Sequence, residues 1–416
     1  MHSDSVDHRD IAQRLDLLHF QDEAPGMVFW HPRGFVLYRL LEEAARNQAR
    51  LHGYAEVRTP QILRRSAWEA SGHIEHFRAA MFRVEDQACE AYVKPVSCPG
   101  HLYLVGRRSP SYRELPLRLH ELGCVHRDEL GGTLHGLLRV RQFTQDDGHI
   151  FCTDEQAEAE VLRFCRAVPA FYRAFGFDRV RVAFSTRPAS RVGDDASWDR
   201  AEAALASVLA QLGMEHVVQP GEGAFYGPKL EFLLEDRAAR SWQCGTIQFD
   251  LALPVRFDLR YVDARGERRH PVMLHRALYG SLERFLGVVL EHHGAALPAW
   301  LAPQQVSVLP VAQAQRPAAR ALIEQLARGG VRAELDEEGS LSRRIAAAHQ
   351  QAVPFTLLLG ARDEARGEVT LRGRDGQRTL AVQTAVELLL HACALPVFDG
   401  EDRDGTESSG RSSTTR

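Results

Sequence analysis

The sequence predicts an α/β protein with two folded domains: an α+β domain on an antiparallel sheet, then a small α/β domain with a mixed sheet. Residues 221–232, 242–250 and 257–261 alternate as strand-like runs between turn residues, which favours antiparallel pairing. Beyond residue 303 strand-like and helix-like runs alternate, as in α/β sheets. A proline-bounded stretch at 298–303 separates the two patterns.

The larger domain opens with a long helix. Apolar residues recur at helical spacing over 34–52, the helix ends at Gly53, and a strand follows at 54–58 before Pro60. Prolines and a glycine between Lys94 and His101 predict a turn around Cys98. The other predicted elements are a strand region at 81–96, helices at 154–175, 197–214 and 275–293, and a strand at 179–185.

The smaller domain shows a regular alternation of predicted elements. The strands are at 306–311, 331–335, 354–360 and 368–372, and the helices at 316–328, 341–351 and 381–393. We therefore predict a first domain over 1–298, a second over 299–398, and a disordered tail over 399–416 that is rich in Ser, Thr, Gly and charge.

Composition excludes several classes of protein. With 416 residues, 44% hydrophobic and 25% charged, the chain is typical of globular proteins. No segment has the pattern of a signal peptide or a membrane span, so we expect a cytoplasmic protein. A net charge of −4 gives no general attraction to nucleic acid, and we expect no DNA binding. Seven scattered cysteines indicate free thiols, most of them buried, rather than a disulfide framework.

The segment 124–149 is the most informative part of the chain. It predicts a strand, a turn at Gly131 and Gly132, and a second strand. Charged groups are unfavourable to bury unless they are paired or bind a ligand, so either this is a solvated surface hairpin or it is a site. We favour a nucleotide site formed by Arg127, Glu129, Arg139, Phe143, Gln145, Asp147 and His149.

Lysine is almost absent from this arginine-rich chain. Of 51 Lys and Arg residues, Lys94 and Lys229 are the two lysines. An ammonium group is a compact point charge, whereas a guanidinium group is a broad planar fork. Either the two lysines remain by drift, or they remain where arginine does not serve.

Three features in order are similar to the three motifs of class II aminoacyl-tRNA synthetases. They are the helix and strand ending at Pro60, the hairpin with Arg127 and Glu129, and the segment that ends at Arg284. Within that class the chain resembles the threonyl-tRNA synthetase family over residues 20–395. The segments that carry the resemblance begin at Met27 (Met-Val-Phe-Trp-His-Pro), Lys94 (Lys-Pro-Val-Ser-Cys-Pro-Gly-His), His135 (His-Gly-Leu-Leu-Arg-Val-Arg), Gln145 (Gln-Asp-Asp-Gly-His), Glu222 (Glu-Gly-Ala-Phe-Tyr-Gly-Pro-Lys), Gln243 (Gln-Cys-Gly-Thr-Ile-Gln) and His275 (His-Arg-Ala).

The resemblance implies a threonine–tRNA ligase that forms threonyl-adenylate from threonine and ATP with Mg²⁺. It assigns Arg127 to the α-phosphate and the threonine carboxylate, Glu129 to the adenine amino group, and Phe143 to stacking on adenine. Arg139 and Arg284 would grip the β- and γ-phosphates, where bidentate guanidinium geometry suits phosphate. The remaining assignments are Gln243 to ATP and Lys229, with Arg127 and Arg284, to catalysis.

The resemblance also implies one Zn²⁺ per subunit, held by Cys98, His149 and His275. One thiolate and two imidazoles are suitable zinc donors, and three protein ligands leave a position open for the amino and hydroxyl groups of threonine. The wide spacing of the three residues along the sequence would not by itself suggest a metal. The implied threonine-binding residues are Gln145, Asp147, Tyr226 and Gln248.

Partners follow from the same resemblance. We expect threonine tRNA to contact the second domain, with Asp363 and Arg372 at anticodon-binding positions, although an acidic run at 334–338 weakens its basic face. The helix over 34–52 and the strand before Pro60 predict a homodimer. The motifs begin close to residue 1, so we expect no editing domain and therefore misactivation of serine.

Two other functions are compatible with the sequence. The chain could be a paralogue that activates threonine for another acceptor, such as a carrier protein, or a second copy that tolerates an inhibitor of the housekeeping enzyme. Val96 and Ser97 replace the Met and Asn that are common in the family, and Tyr279 replaces an aliphatic residue. We expect these three positions to alter the walls of the pocket.

Overall fold

The computed structural model describes residues 7–85 and 89–398. The predicted tail over 399–416 lies outside the described residues. The helices are α1 His8–Arg14, α2 Pro32–Leu51, α3 Arg65–Ser71, α4 His73–Phe77, α5 Cys98–Gly106, α6 Asp154–Ala174, α7 Asp195–Leu212, α8 Leu253–Arg256, α9 Leu282–His293, α10 Arg316–Arg328, α11 Leu341–Gln350, α12 Ala361–Arg366 and α13 Val382–Cys393.

Within residues 7–85 and 89–398 the strands form two main sheets and three small ones. Their bounds are β1 Leu18–His19, β2 Phe29–Trp30, β3 Ala55–Glu56, β4 Ile62–Arg64, β5 Arg83–Glu85, β6 Glu90–Val93, β7 Leu117–His126, β8 Gln142–Cys152, β9 Val180–Ser185, β10 His216–Gln219, β11 Lys229–Glu235, β12 Ser241–Asp250, β13 Tyr261–Val262, β14 Arg268–Arg269, β15 Val272–Ala277, β16 Val306–Pro310, β17 Ala333–Leu335, β18 Phe355–Leu359, β19 Glu368–Gly373 and β20 Gly376–Ala381.

The larger sheet has eight strands among the described residues, in the order β10-β9-β11-β12-β15-β8-β7-β3. Its central pairs are antiparallel, as predicted, whereas the two edge strands β10 and β3 pair in parallel. The smaller sheet has the order β17-β16-β18-β19-β20 and mixes parallel with antiparallel pairs. The predicted fold class is therefore confirmed.

Each of the two main sheets packs against its own hydrophobic core. The larger core lies between the eight-stranded sheet and the helices α2, α6, α7 and α9, and the smaller core between the five-stranded sheet, α10 and α13. The boundary predicted at 298/299 stays a prediction. The proline-bounded stretch at 298–303 is packed against the first domain, because Leu301 is fully buried in the larger core.

Three sequence predictions about the elements are wrong. Of the strand predicted at 257–261, Tyr261 alone is in a strand, as the first residue of β13, because the helix α8 and a left-handed turn at Asp258 (φ 47°) precede it. The helix predicted from His275 begins at Leu282, because Gly280 (φ 74°) and the N-cap Ser281 separate it from β15. The chain does not merely turn around Cys98 but starts α5 there, since proline is favoured in a first helical turn.

Tyr279 belongs to the core and not to a pocket wall. Its ring is fully buried against Phe171 and Phe285, with centroids at 5.2 and 4.6 Å. Its hydroxyl donates to the carbonyl oxygen of Leu41 at 3.2 Å. The expectation that Tyr279 shapes the substrate pocket is therefore wrong, because its side chain points to the opposite side of the sheet into the aromatic core.

Candidate active site

One row of paired residues crosses the centre of the larger sheet. Along the row, Ser185 pairs with Lys229, Lys229 with Gln248, Gln248 with His275, and His275 with His149. Directly opposed residues on neighbouring strands share a face of the sheet. Five strands far apart in sequence thus present polar side chains to one surface.

The strand β8 extends this polar surface toward the hairpin loop. Side chains alternate between the two faces of a strand, so Phe143, Gln145 and Asp147 share the face of His149. The loop that joins β7 to β8 spans residues 127–141 and is longer than the predicted Gly-Gly turn. It adds Arg127 and Arg139 to the same side.

Cys98, His149 and His275, the metal ligands that the family resemblance implies, lie close together. Cys98 begins α5, His149 lies on β8 and His275 on β15, and all three are buried. Their donor atoms lie within 4.8 Å of one another. Nε2 of His149 is 2.9 Å from Nδ1 of His275.

Outer partners decide which ring nitrogens face the centre of this cluster. Nε2 of His275 lies 2.8 Å from Oδ2 of Asp250, so the imidazole proton belongs there and Nδ1 holds the lone pair. Nε2 of His101 likewise faces Oε2 of Glu121 at 3.2 Å. With neutral rings, Nδ1 of His101 accepts the Nδ1 proton of His149 at 2.7 Å, and Nε2 of His149 holds the lone pair.

Two nitrogen lone pairs and a thiol therefore point at one small buried space. Lone pairs this close repel each other unless a proton or a metal ion lies between them. Burial raises the pKa of the Cys98 thiol well above its usual value, and Asp147 and Asp250 raise it further, so the thiolate also needs a cation. A sulfur and two imidazoles with oriented outer partners fit zinc.

Lys94 binds Glu121, the partner of His101 behind the Cys98–His149–His275 cluster, rather than the substrate. Its ammonium donates to Glu121 at 2.9 Å and to Thr59 at 3.0 Å, and both ends of the Lys94–Glu121 pair are buried. Hydrogen bonds from His101 and Lys94 lower the pKa of the Glu121 carboxyl to about 2, although burial alone would raise it. A compact ammonium suits this enclosed place better than a guanidinium fork.

A cleft of about 420 Å³ opens beside the Cys98–His149–His275 cluster. All six residues predicted to bind ATP line it: Arg127, Glu129, Arg139, Phe143, Gln243 and Arg284. The guanidinium of Arg127 lies 5.1 Å from the ring centre of Phe143, and burial lowers its pKa. Arg139 pairs with Glu129 at 2.7 Å, and Arg284 donates to the Gln243 carbonyl oxygen at 3.1 Å.

The predicted threonine-binding residues join the cleft to the metal cluster. Gln145 and Gln248 line the cleft, and the hydroxyl of Tyr226 donates to Oε1 of Gln248 at 2.5 Å. The Tyr226 ring lies 4.9 Å from the His275 ring. Oδ1 of Asp147 lies 3.7 Å from Nε2 of His149, and burial raises the pKa of this carboxyl.

The other predicted site residues have more local contacts. Lys229 shares the face of Gln248 but donates to Glu231 at 2.8 Å and does not line the cleft. In the smaller domain, Asp363 accepts from the Gly360 backbone N–H at 3.1 Å, and Arg372 lies on β19. Their proposed roles stay predictions.

Sequence reasoning missed three residues that orient the metal donors: His101, Glu121 and Asp250. His101 stands in the segment that begins at Lys94 and carries Cys98, which is a weak signal. Glu121 and Asp250 lie on strands whose pairing with β8 and β15 the sequence does not reveal. Their role follows from strand register alone.

Comparisons with known proteins identify the family of this chain. Residues 82–293, half of the chain, match the tRNA synthetase class II core domain (G, H, P, S and T). The chain belongs to the class II aminoacyl-tRNA synthetase family. Residues 305–391 match the anticodon binding domain.

Within the family the chain is similar to threonyl-tRNA synthetases. It is 51% identical over 371 residues to the threonine–tRNA ligase of Halorhodospira halophila, covering 89% of this chain and 58% of that one. It is 48% identical over 372 residues to that of Laribacter hongkongensis, covering 89% and 59%. The chain thus spans less than two thirds of the length of these relatives.

A solved structure supports the same grouping. The RNA binding domain of threonyl-tRNA synthetase from Cryptosporidium parvum Iowa II superposes with a TM-score of 0.89 at 38% identity. The match covers 93% of this chain and 98% of that one.

Two further sequence expectations concern membrane spans and cysteines. Among the described residues, none of the helices has both the length and the apolar character of a membrane span. All seven cysteines are free, as predicted.

Replacing Glu121 by Gln tests whether Glu121, through His101, orients the proposed zinc ligand His149. The amide keeps the shape but leaves the Lys94 ammonium unpaired and presents His101 with a weaker partner. We expect zinc affinity, measured by competition with a chelator, to fall about 10- to 100-fold. Glu160→Gln is the matched control, because Glu160 is a buried carboxylate paired with Arg118. Equal zinc affinity in both variants would contradict the assignment.

Glu283 predicts a pH-dependent stability. Burial raises the pKa of its carboxyl from 4.5 to about 8, with Thr144 N–H donating to it at 2.9 Å. Between these values the folded state keeps a proton that the unfolded chain releases, so stability falls as pH rises. We expect Glu283→Gln to raise Tm relative to the parent, more at pH 8 than at pH 5. Parallel Tm profiles, as expected for the exposed control Glu75→Gln, would contradict this.

Proposed function

We propose that this chain activates threonine with ATP to threonyl-adenylate and transfers the threonyl group to threonine tRNA. The observation that carries the proposal is the shared sheet face: the Cys98–His149–His275 cluster and the arginine-lined cleft meet at Gln248. A small polar substrate held at the first would reach a nucleotide held in the second.

Activation asks for positioning and charge neutralisation more than for covalent chemistry by the protein. A threonine carboxylate oxygen attacks the α-phosphorus of ATP, and the bond to pyrophosphate breaks. Arg127 lines the cleft and is near enough to Cys98 to act on its charge, so it would hold the carboxylate and α-phosphate together. Arg139 and Arg284 would neutralise the departing pyrophosphate, with Mg²⁺ bound to ATP.

Glu129 of the 127–141 loop and Phe143 of β8 would bind the adenine base. The Phe143 ring, which the Arg127 guanidinium contacts, would stack on adenine. The Glu129 carboxylate would accept a hydrogen bond from the adenine amino group. Glu129 is paired with Arg139 in this structure. Nucleotide binding would therefore exchange that ion pair for contacts to the base and the phosphates.

Zinc, when bound by Cys98, His149 and His275, would supply an open coordination position for the amino and hydroxyl groups of threonine. Asp147 and Tyr226 stand beside it and would hold the ammonium group and exclude water. Gln145 and Gln248 would complete the pocket. Lys229 reaches the same face through its pairing with Gln248.

The acceptor is inferred from the second domain. Its match to the anticodon binding domain favours tRNA over a carrier protein. Arg372 lies on β19 between Thr356 of β18 and Gln377 of β20, and Asp363 lies on α12. We infer that these two residues contact the anticodon.

Amino-acid selectivity tests the proposed substrate. In ATP–pyrophosphate exchange we expect threonine to react best and valine, which lacks the hydroxyl, to be rejected on the order of 10⁴-fold. Serine loses one methyl group, which is worth about 1–3 kcal/mol of discrimination. Serine exchange more than about a thousandfold below that of threonine, or valine exchange near it, would contradict the proposal.

We also infer a homodimer. The 20-residue helix α2 and the edge strand β3 match the class II interface motif, and α2 exposes Phe35 while the adjacent strand β2 exposes Phe29. Light scattering during size-exclusion chromatography should give twice the chain mass of 46.6 kDa. Phe35→Glu should shift the mass toward the monomer, whereas a parent protein of monomer mass would refute the inference.

A further inference from the structure

One buried side chain of helix α1 makes a hydrogen bond to the loop segment that carries Leu138 and Arg139 into the cleft. His8 is the first residue of α1 and is 1% exposed. Its Nε2 accepts a hydrogen bond from the backbone N–H of Leu137 at 3.0 Å. Its Nδ1 lies 2.7 Å from Oε1 of Glu291 on α9. One imidazole thus connects three separate parts of the chain.

The contacts of His8 fix the roles of both ring nitrogens. A backbone N–H can only donate, so Nε2 holds the lone pair and Nδ1 donates its proton to Glu291. The Glu291 side chain is 3% exposed, and Oε2 lies 2.6 Å from Nη2 of Arg240, an ion-pair contact outside hydrogen-bond geometry. Glu291 therefore orients the ring, and the ring presents a fixed acceptor to the loop.

The loop approaches His8 so closely that it requires glycine. Gly136 has φ 48°, and a Cβ atom there would lie 2.1 Å from Nε2 of His8. The backbone N–H groups of Leu138 and Arg139 both donate to the carbonyl oxygen of His135, at 2.9 and 3.3 Å. The turn that His8 holds therefore ends at Arg139, whose guanidinium lies in the cleft.

A second contact holds the same turn from α9. Nη1 of Arg284 donates to the carbonyl oxygen of Leu138 at 3.3 Å. Arg284 and Glu291 lie two turns apart on α9. The helix thus grips residues 137–138 directly through Arg284 and indirectly through Glu291 and His8. Loss of His8 would leave one of these two polar attachments, besides the packing of Leu137 and Leu138 in the core.

We propose that His8 is a positioning residue that sets the 135–139 turn and so places Arg139 and Arg284 for the triphosphate of ATP. It touches no substrate and acts through the backbone of Leu137. The inference rests on the proposed function, since it takes the two arginines to contact ATP. It predicts an effect on ATP that threonine does not share.

The test is ATP–pyrophosphate exchange by His8→Ala and His8→Gln. Losing one buried hydrogen bond to the loop should raise the KM for ATP about tenfold in His8→Ala and leave the KM for threonine unchanged. The amide oxygen of Gln reaches the place of Nε2, so His8→Gln should recover most of the affinity. Equilibrium binding of α,β-methylene-ATP should show the same order without turnover.

Ile11→Ala is the matched control, because Ile11 is a buried residue of α1 that packs in the core. If it raises the KM for ATP as much as His8→Ala does, docking of α1 rather than His8 sets the loop, and the inference is overturned. The same holds if His8→Gln is no better than His8→Ala, or if both KM values rise together.

The experiment distinguishes failure of the proposed function from failure of the role of His8. Should His8→Ala fail to fold, His8→Asn replaces it, because Asn keeps a donor for Glu291 but does not reach Leu137. A parent protein without threonine-dependent exchange refutes the proposed function, whereas an active parent with unchanged ATP affinity in these variants refutes the role of His8.

Discussion

The structure of the site depends on two imidazole lone pairs and one thiol that face the same buried space. Nε2 of His149 and Nδ1 of His275 are 2.9 Å apart, and each ring is fixed from behind by a hydrogen-bonding partner. Such an arrangement is unfavourable without a cation, because like partial charges repel more strongly in a medium of low dielectric. The donor set therefore fits the metal ion that we propose for it, and such an ion would contribute to the stability of the cluster.

The surrounding charges are arranged to maintain this cluster. Glu121 binds His101 on one side and Lys94 on the other, so an ionised carboxylate is tolerated with almost no exposure to water. Removing one partner of such a buried pair typically costs 3–5 kcal/mol, far more than the pair contributes to stability when intact. This accounts for one of the two lysines in a chain that otherwise uses arginine. The second, Lys229, has an ion-pair partner in Glu231 but no comparable enclosure.

Much of the fold could be predicted because local signals agreed with it. Helix α10 has the predicted bounds, and helices such as α6 and α11 differ by one residue, since periodicity and capping residues mark their ends. The predictions failed where local and tertiary signals conflict: His275 lies in a run that suits a helix, yet the fully buried centre of the sheet makes it a strand. Cys98, His149 and His275 could be named through family resemblance, whereas Glu121 and Asp250 depend on strand register, which no local pattern encodes.

The most direct test of the central claim is zinc K-edge X-ray absorption on the purified protein. The structure predicts one zinc per chain with one sulfur at about 2.3 Å and two imidazole nitrogens at about 2.0 Å, and an added light-atom ligand with threonine. A spectrum with no sulfur neighbour, or with three or four, would contradict the account. So would protein that contains no stoichiometric metal after purification without chelators.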